Sequence, residues 1–182
     1  MISFDYYCNM YKGVINSVAL LSLAVIIAGC TEPKKMSSID PVNWNKRTVG
    51  RPLSDSLLSG ETYLSVYSEI YSRTEHQTHA LTVTVSMRNT DPMDSVFITK
   101  AEYFDTQGKP IRIYFDKAIY LAPLETVEIV IDEKDREGGT GGNFLFDWSI
   151  PTTASEPYFE GVMISTSGQQ GISFTTQGKR VR

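Results

Sequence analysis

Cysteine is nearly missing from this chain: 182 residues hold two, Cys8 and Cys30, both ahead of the part that reads as folded. That part therefore can form no disulfide and offers neither a nucleophilic thiol nor a thiolate metal site. Histidine is as scarce. His76 and His79 are the only two and crowd one short segment, and no Gly-x-Ser-x-Gly elbow accompanies them, so Ser-His-Asp catalysis has no support. Positive charge is in deficit, with 17 Lys and Arg against 21 Asp and Glu, a net charge of −4. A weakly acidic domain is a poor binder of polyanions, which argues against nucleic acid and anionic lipid headgroups as partners. The apolar run from Val14 to Ala28 falls short of the roughly 20 residues a membrane-spanning helix needs.

That short run has the length of a signal-peptide core, with Lys12 as a thin basic flank. It ends in Ile27-Ala28-Gly29-Cys30, the small-residue spelling of a lipobox, in which the cysteine thiol is acylated before the signal is cut away. The expectation is a signal over residues 1–29 and a lipid on Cys30. The alternative is an uncleaved anchor with an incidental cysteine. The stretch from Met1 to Asn9, with Asp5 and two tyrosines, is unusual ahead of such a core, and Met10 is an alternative start. Thr31 after the cysteine carries no acidic retention signal, which favours the outer membrane facing the periplasm. Removing Asp5 and Lys12 with the signal leaves 16 basic and 20 acidic side chains.

Residues 30–60 read as a lipidated tether, with Pro33, Pro41 and Pro52 and no sustained periodicity. A disordered segment of that length spans about 30 Å. Trp44 is its exception, suited to docking on the domain or to the lipid interface. Residues 61–182 follow as one domain, large enough for a core without staples.

Beyond Gly60 the apolar period is two. Leu81, Val83, Val85 and Met87 alternate with polar neighbours, as do Val127, Ile129 and Ile131, and Phe144, Phe146, Trp148 and Ile150. Ile111, Ile113 and Phe115 form another apolar file, and further strands are expected over 63–71, 96–104, 159–166 and 172–176. Asn89-Thr90-Asp91-Pro92, Asp105 to Pro110 with Gly108, Ala122-Pro123 and Gly168 to Gly171 supply the turns. Seven or eight short strands with this punctuation predict an all-β, immunoglobulin-like antiparallel β-sandwich, with a small barrel as the alternative. No capped, 3.6-periodic helix is expected in the folded part.

Three features are candidates for function. His76 and His79, with Glu75 near and the thioethers of Met87, Met93 and Met163 elsewhere, could share zinc or copper, although further ligands are not apparent. The bland alternative is a polar turn with core methionines. The acidic run from Asp132 to Glu137 leads into Gly138, Gly139, Gly141 and Gly142, a long loop of the kind that often carries function. Its spacing matches neither a calcium loop nor a phosphate loop, and the alternative is a solvated connection. Tyr63, Tyr67 and Tyr71 share one face of a single expected strand with Ser65 and Glu69. That tyrosine row suits protein contact, or it simply covers a sandwich edge.

The phrases Tyr-Leu-Ser-Val-Tyr-Ser-Glu-Ile-Tyr at 63–71, Leu-Thr-Val-Thr-Val-Ser-Met-Arg-Asn-Thr-Asp-Pro at 81–92, Gly-Gly-Thr-Gly-Gly-Asn-Phe at 138–144 and Gly-Gln-Gln-Gly-Ile-Ser-Phe-Thr at 168–175 occur in order. Together they resemble the bacterial family catalogued as domain of unknown function 3124. The resemblance covers about Tyr63 to Lys179 and implies an exported or lipid-anchored β domain, with no activity and no catalytic residues to carry over. The sequence thus points to a non-enzymatic envelope lipoprotein with a protein partner, no catalytic residue and no cofactor beyond the covalent lipid. The competing reading is a small-ligand or metal module at His76 and His79.

Overall fold

Period-two alternation in this chain becomes antiparallel ladders. The computed structural model describes residues 43–166 and 171–182. The expected signal segment, Cys30, the expected tether as far as residue 42, and residues 168–170 of the last expected turn lie outside the described residues. In chain order the elements are α1 (Trp44–Arg47), β1 (Leu58–Val66), β2 (Glu69–Ser72), β3 (Thr74–Ala80), β4 (Thr82–Arg88), β5 (Val96–Phe104), β6 (Pro110–Phe115), β7 (Ile119–Leu121), β8 (Thr126–Ile131), a 3₁₀ turn at Gly139–Gly141, β9 (Gly142–Ile150), β10 (Tyr158–Ser165), β11 (Ile172–Gln177) and β12 (Lys179–Arg180). No helix among the described residues is long and apolar enough to cross a membrane.

One sheet runs β12-β1-β9-β5-β6, with β7 also on β5, and the second runs β11-β10-β4-β8. Their ladders are antiparallel, and neither sheet closes on itself, so the expected sandwich is present and the barrel is not. The inward files of both sheets are dry. Leu64, Val66, Phe144 and Phe146 come from one sheet and Val83, Val85, Ile129 and Met163 from the other, all fully buried. Phe146 stacks on Phe159 across the interior with ring centroids 4.4 Å apart. Each such buried side chain stabilises the fold by about 1.5–3 kcal/mol relative to exposure. Trp148 closes the layer, its indole N–H donating to Thr62 Oγ1 at 2.9 Å.

Four expectations need correction. Twelve short strands are described rather than seven or eight, because β2 and β3 form a separate two-stranded ribbon and β7 and β12 are fragments of three and two residues. The strand expected over 63–71 breaks at Tyr67 and Ser68. There the Ser68 N–H turns to the Gly139 carbonyl (3.1 Å) and its carbonyl accepts the Leu81 N–H (2.9 Å), so no ladder continues into Glu69. The apolar file Ile111, Ile113, Phe115 is not the inward one throughout. Ile113 is 52 % exposed, whereas Tyr114 is buried. The β5–β6 ladder slips register at Ala101/Glu102 and again at Tyr103/Phe104, which uncouples local alternation from the core.

The folded unit also begins well before residue 61. Trp44 packs on Phe115 with ring centroids 4.8 Å apart. Arg47 pairs with Glu125 at 2.8 Å. Thr48 bridges Ile119, and the Val49 N–H donates to the Ala118 carbonyl at 2.8 Å. A four-residue helix cannot hold itself in water, so these tertiary contacts are what form it. Of its two sequence-level alternatives, Trp44 takes the one that docks on the domain.

Candidate functional site

The glycine loop is a fitted plug. Gly138 passes over a buried pair, Ser68 Oγ and Tyr103 Oη, which lie 2.8 Å apart. A β-carbon at Gly138 would stand 1.8 Å from that phenol oxygen, so only glycine allows the approach. Gly139 takes φ of +66°, and the Thr106 hydroxyl clamps the turn by donating to the Gly138 carbonyl and accepting the Gly141 N–H, each at 3.0 Å. Gly142 opens β9, where an added β-carbon would stand 3.0–3.2 Å from Gly138 and Phe104 backbone atoms.

Its acidic half is committed inside the molecule. Arg112 lies on β6 with only 8 % of its side chain exposed. Its guanidinium meets Asp135 Oδ2 at 3.0 Å and the Tyr114 hydroxyl at 2.9 Å, with Glu137 at 3.5 Å. Burial pushes the Tyr103 phenol up to about 12, against the opposing hydrogen bond from Ser68. Burial likewise raises Tyr114, with Arg112 opposing. Both phenols therefore stay neutral at physiological pH and act as hydrogen-bonding struts rather than proton carriers.

The three tyrosines are not brought onto one face. Tyr63 stands on β1 and Tyr71 on β2, 36 % and 61 % exposed, in different sheets. Tyr67 lies in the break between them and turns back on Phe174, ring centroids 5.8 Å apart. His76 and His79 both sit on β3, not in a turn. Tyr71 pairs with Thr78 while Ser72 pairs with Thr74, which leaves residues 75–77 as a bulge. His76 contacts Glu75 at 3.4 Å on an open surface, and no group of three potential metal ligands occurs among the described residues. Met87 and Met163 are fully buried in the core, and Met93 is 82 % exposed.

A surface that the sequence reading missed lies at the β8 end of the second sheet. A groove of about 590 Å³ runs between α1, which contributes Lys46 and Arg47, and β8, which contributes Thr126, Glu128 and Val130; Tyr120 of β7 completes the wall. Burial raises Glu125 at its mouth, but the Ala122 N–H and the Arg47 guanidinium outweigh that and hold its carboxyl below the usual range. Glu128 accepts a hydrogen bond from Ser86 at 3.2 Å. Nothing local marks this groove. Glu128 reads only as the wet position of an alternating strand, and α1 carries no helical pattern.

Among solved structures, the crystal structure of Thermotoga maritima 1070 aligns over 66 % of this chain and 92 % of its own, with a TM-score of 0.43 and 9 % identity. No curated protein matches the sequence. The family model described as protein of unknown function (DUF3124) matches residues 59–181, from the second residue of β1 to just past β12. Those limits enclose both sheets and the glycine plug, and the chain belongs to that family.

Proposed function

We propose that this protein is a bacterial envelope lipoprotein, held by a lipid on Cys30, whose sandwich is a non-enzymatic domain for binding another envelope protein. The observation that carries the reading is Cys30 itself, set directly behind Ala28-Gly29 at the end of a 14–28 apolar run of signal-core length. The interior of the domain is in keeping with it. The loop most suggestive of chemistry spends polar groups on structure: Asp135 on Arg112, and the Gly138 carbonyl on Thr106. A binding domain needs a rigid frame and an outer surface, and this architecture supplies both.

Metabolic labelling with a palmitate analogue tests the anchor. The wild-type chain takes up label and sediments with membranes, whereas Cys30→Ser does neither. An unlabelled wild-type protein sinks the proposal. In-cell crosslinking of the lipidated protein with mass spectrometry tests the partner. One reproducible envelope protein is expected, and capture of abundant neighbours alone would count against an interaction domain.

A further inference from the structure

Natural sheets rarely leave a long strand edge open, because its unpaired N–H and C=O groups template pairing with another chain. In the first sheet β6 is an end strand paired only with β5, while the other end and the β7 fragment carry short additions. β12 lies on β1, and Thr48 and Val49 bond along β7. In the second sheet β11 pairs only with β10, and a side-chain bond ties it to the first sheet. The Thr176 hydroxyl donates to the Ser65 carbonyl of β1 at 2.6 Å, and the chain then turns at Gly178 into β12. β8 differs. It pairs with β4 through six residues, and its other edge carries no ladder among the described residues. It holds no proline, lysine or bulge to blunt that edge.

We propose that the β8 groove accepts an extended peptide segment of a partner, which adds to the second sheet as a fifth strand. The inference rests on the binding-domain reading above and specifies its surface. The groove is built for one strand: β8 supplies the backbone edge, and α1 with Tyr120 supplies the facing wall. Charge and register define the occupant. Glu128 is exposed and has no cationic partner among the described residues, since its cross-strand neighbour is Ser86. Val130 follows two residues on and lies on the same face. A pairing strand therefore places a basic side chain opposite Glu128 and an apolar one opposite Val130, two residues apart. Arg47 is already neutralised by Glu125. Lys46 across the groove makes a uniformly basic peptide unfavourable. The preferred segment thus carries Lys or Arg at one position and an apolar residue two further on, without being basic throughout.

The test selects a displayed random-decapeptide library against the full-length lipidated chain in detergent micelles, followed by hydrogen exchange of the complex. Enriched peptides are expected to share the basic–x–apolar pattern and to protect backbone amides within 126–131. Glu128→Lys, an exposed substitution that leaves folding intact, is expected to weaken them about fivefold and to restore binding to variants whose basic residue is made acidic. Three outcomes overturn the proposal: no enrichment, protection confined to another surface, or equal binding to Glu128→Lys. Protection of 126–131 that grows with protein concentration in the absence of peptide also overturns it, assigning the edge to a second copy of the chain. A failure here with palmitate labelling and a crosslinked partner intact leaves the lipoprotein reading standing. Loss of labelling with peptide binding intact does the reverse.

Discussion

Gly138 leaves no room for a β-carbon, because the Tyr103 hydroxyl and Ser68 Oγ occupy that space at 1.8 and 2.8 Å. Gly138→Ala must displace the loop or break the buried hydroxyl pair, and overpacking of this kind costs about 1–3 kcal/mol. A urea unfolding midpoint lowered with unchanged slope is the expected outcome. The pH limits of stability also arise from single residues. Asp91 accepts the N–H groups of Met93 and Asp94 at 2.8 Å each and of Ser155 at 2.9 Å. The bonds from Asp94, Met93 and Ser155 hold its carboxyl below the ordinary value. A depressed folded-state value stabilises above the unfolded carboxylate value near 3.9 and is lost as pH falls through the folded one. Tyr103 has the opposite sign. Its folded value of about 12 exceeds the unfolded value of about 10, so its contribution is complete below pH ~10 and fades between about 10 and 12. Thermal melts across pH should fall on both flanks, with Asp91→Asn flattening the acid flank and Tyr103→Phe the alkaline one.

At the scale of elements, β6 shows a strand whose facing is decided by a partner outside it. Its Arg112 turns inward because Asp135, Glu137 and Tyr114 are there to receive it, while Ile113 turns out. Removing one member of a buried ion pair leaves the other charge stranded, at a cost of roughly 3–5 kcal/mol. Arg112→Leu should therefore destabilise strongly, and Arg112→Leu with Asp135→Leu should recover much of the loss. Calorimetric melting of the two variants measures the coupling, and additive losses would show that the pair is not the reason for the inward turn. The legibility of the elements follows the same physics. β4, β8 and β9 were readable because unshifted ladders or burial against the core keep their alternation strict, as with Val83, Val85 and Val127, Ile129. β6 and β2 were not, because edge strands with register shifts or a break answer to loops far away in sequence. The same distance hides the groove beside β8. β8 is legible as a strand, but its status as an open edge depends on what lies beside it.

At the scale of the whole molecule, this is a sandwich stabilised by packing alone. The two cysteines are Cys8 and Cys30, so no thiol falls within residues 31–182. Reductant should leave the thermal midpoint of the domain unchanged, and a shift on reduction would mean that Cys30 is not lipidated but paired between chains. The sequence by itself determined the all-β class, the inward files of the central strands, the Asp105 to Pro110 hairpin and the family, since period-two burial and turn chemistry are local properties written into consecutive residues. Only the tertiary structure decided that Trp44 belongs to the domain, that the glycine loop is a plug over Tyr103, that the three tyrosines part company, and that β8 stands open beside α1. Each of these is a meeting of residues remote in the chain, joined by packing and hydrogen bonds that no local pattern encodes.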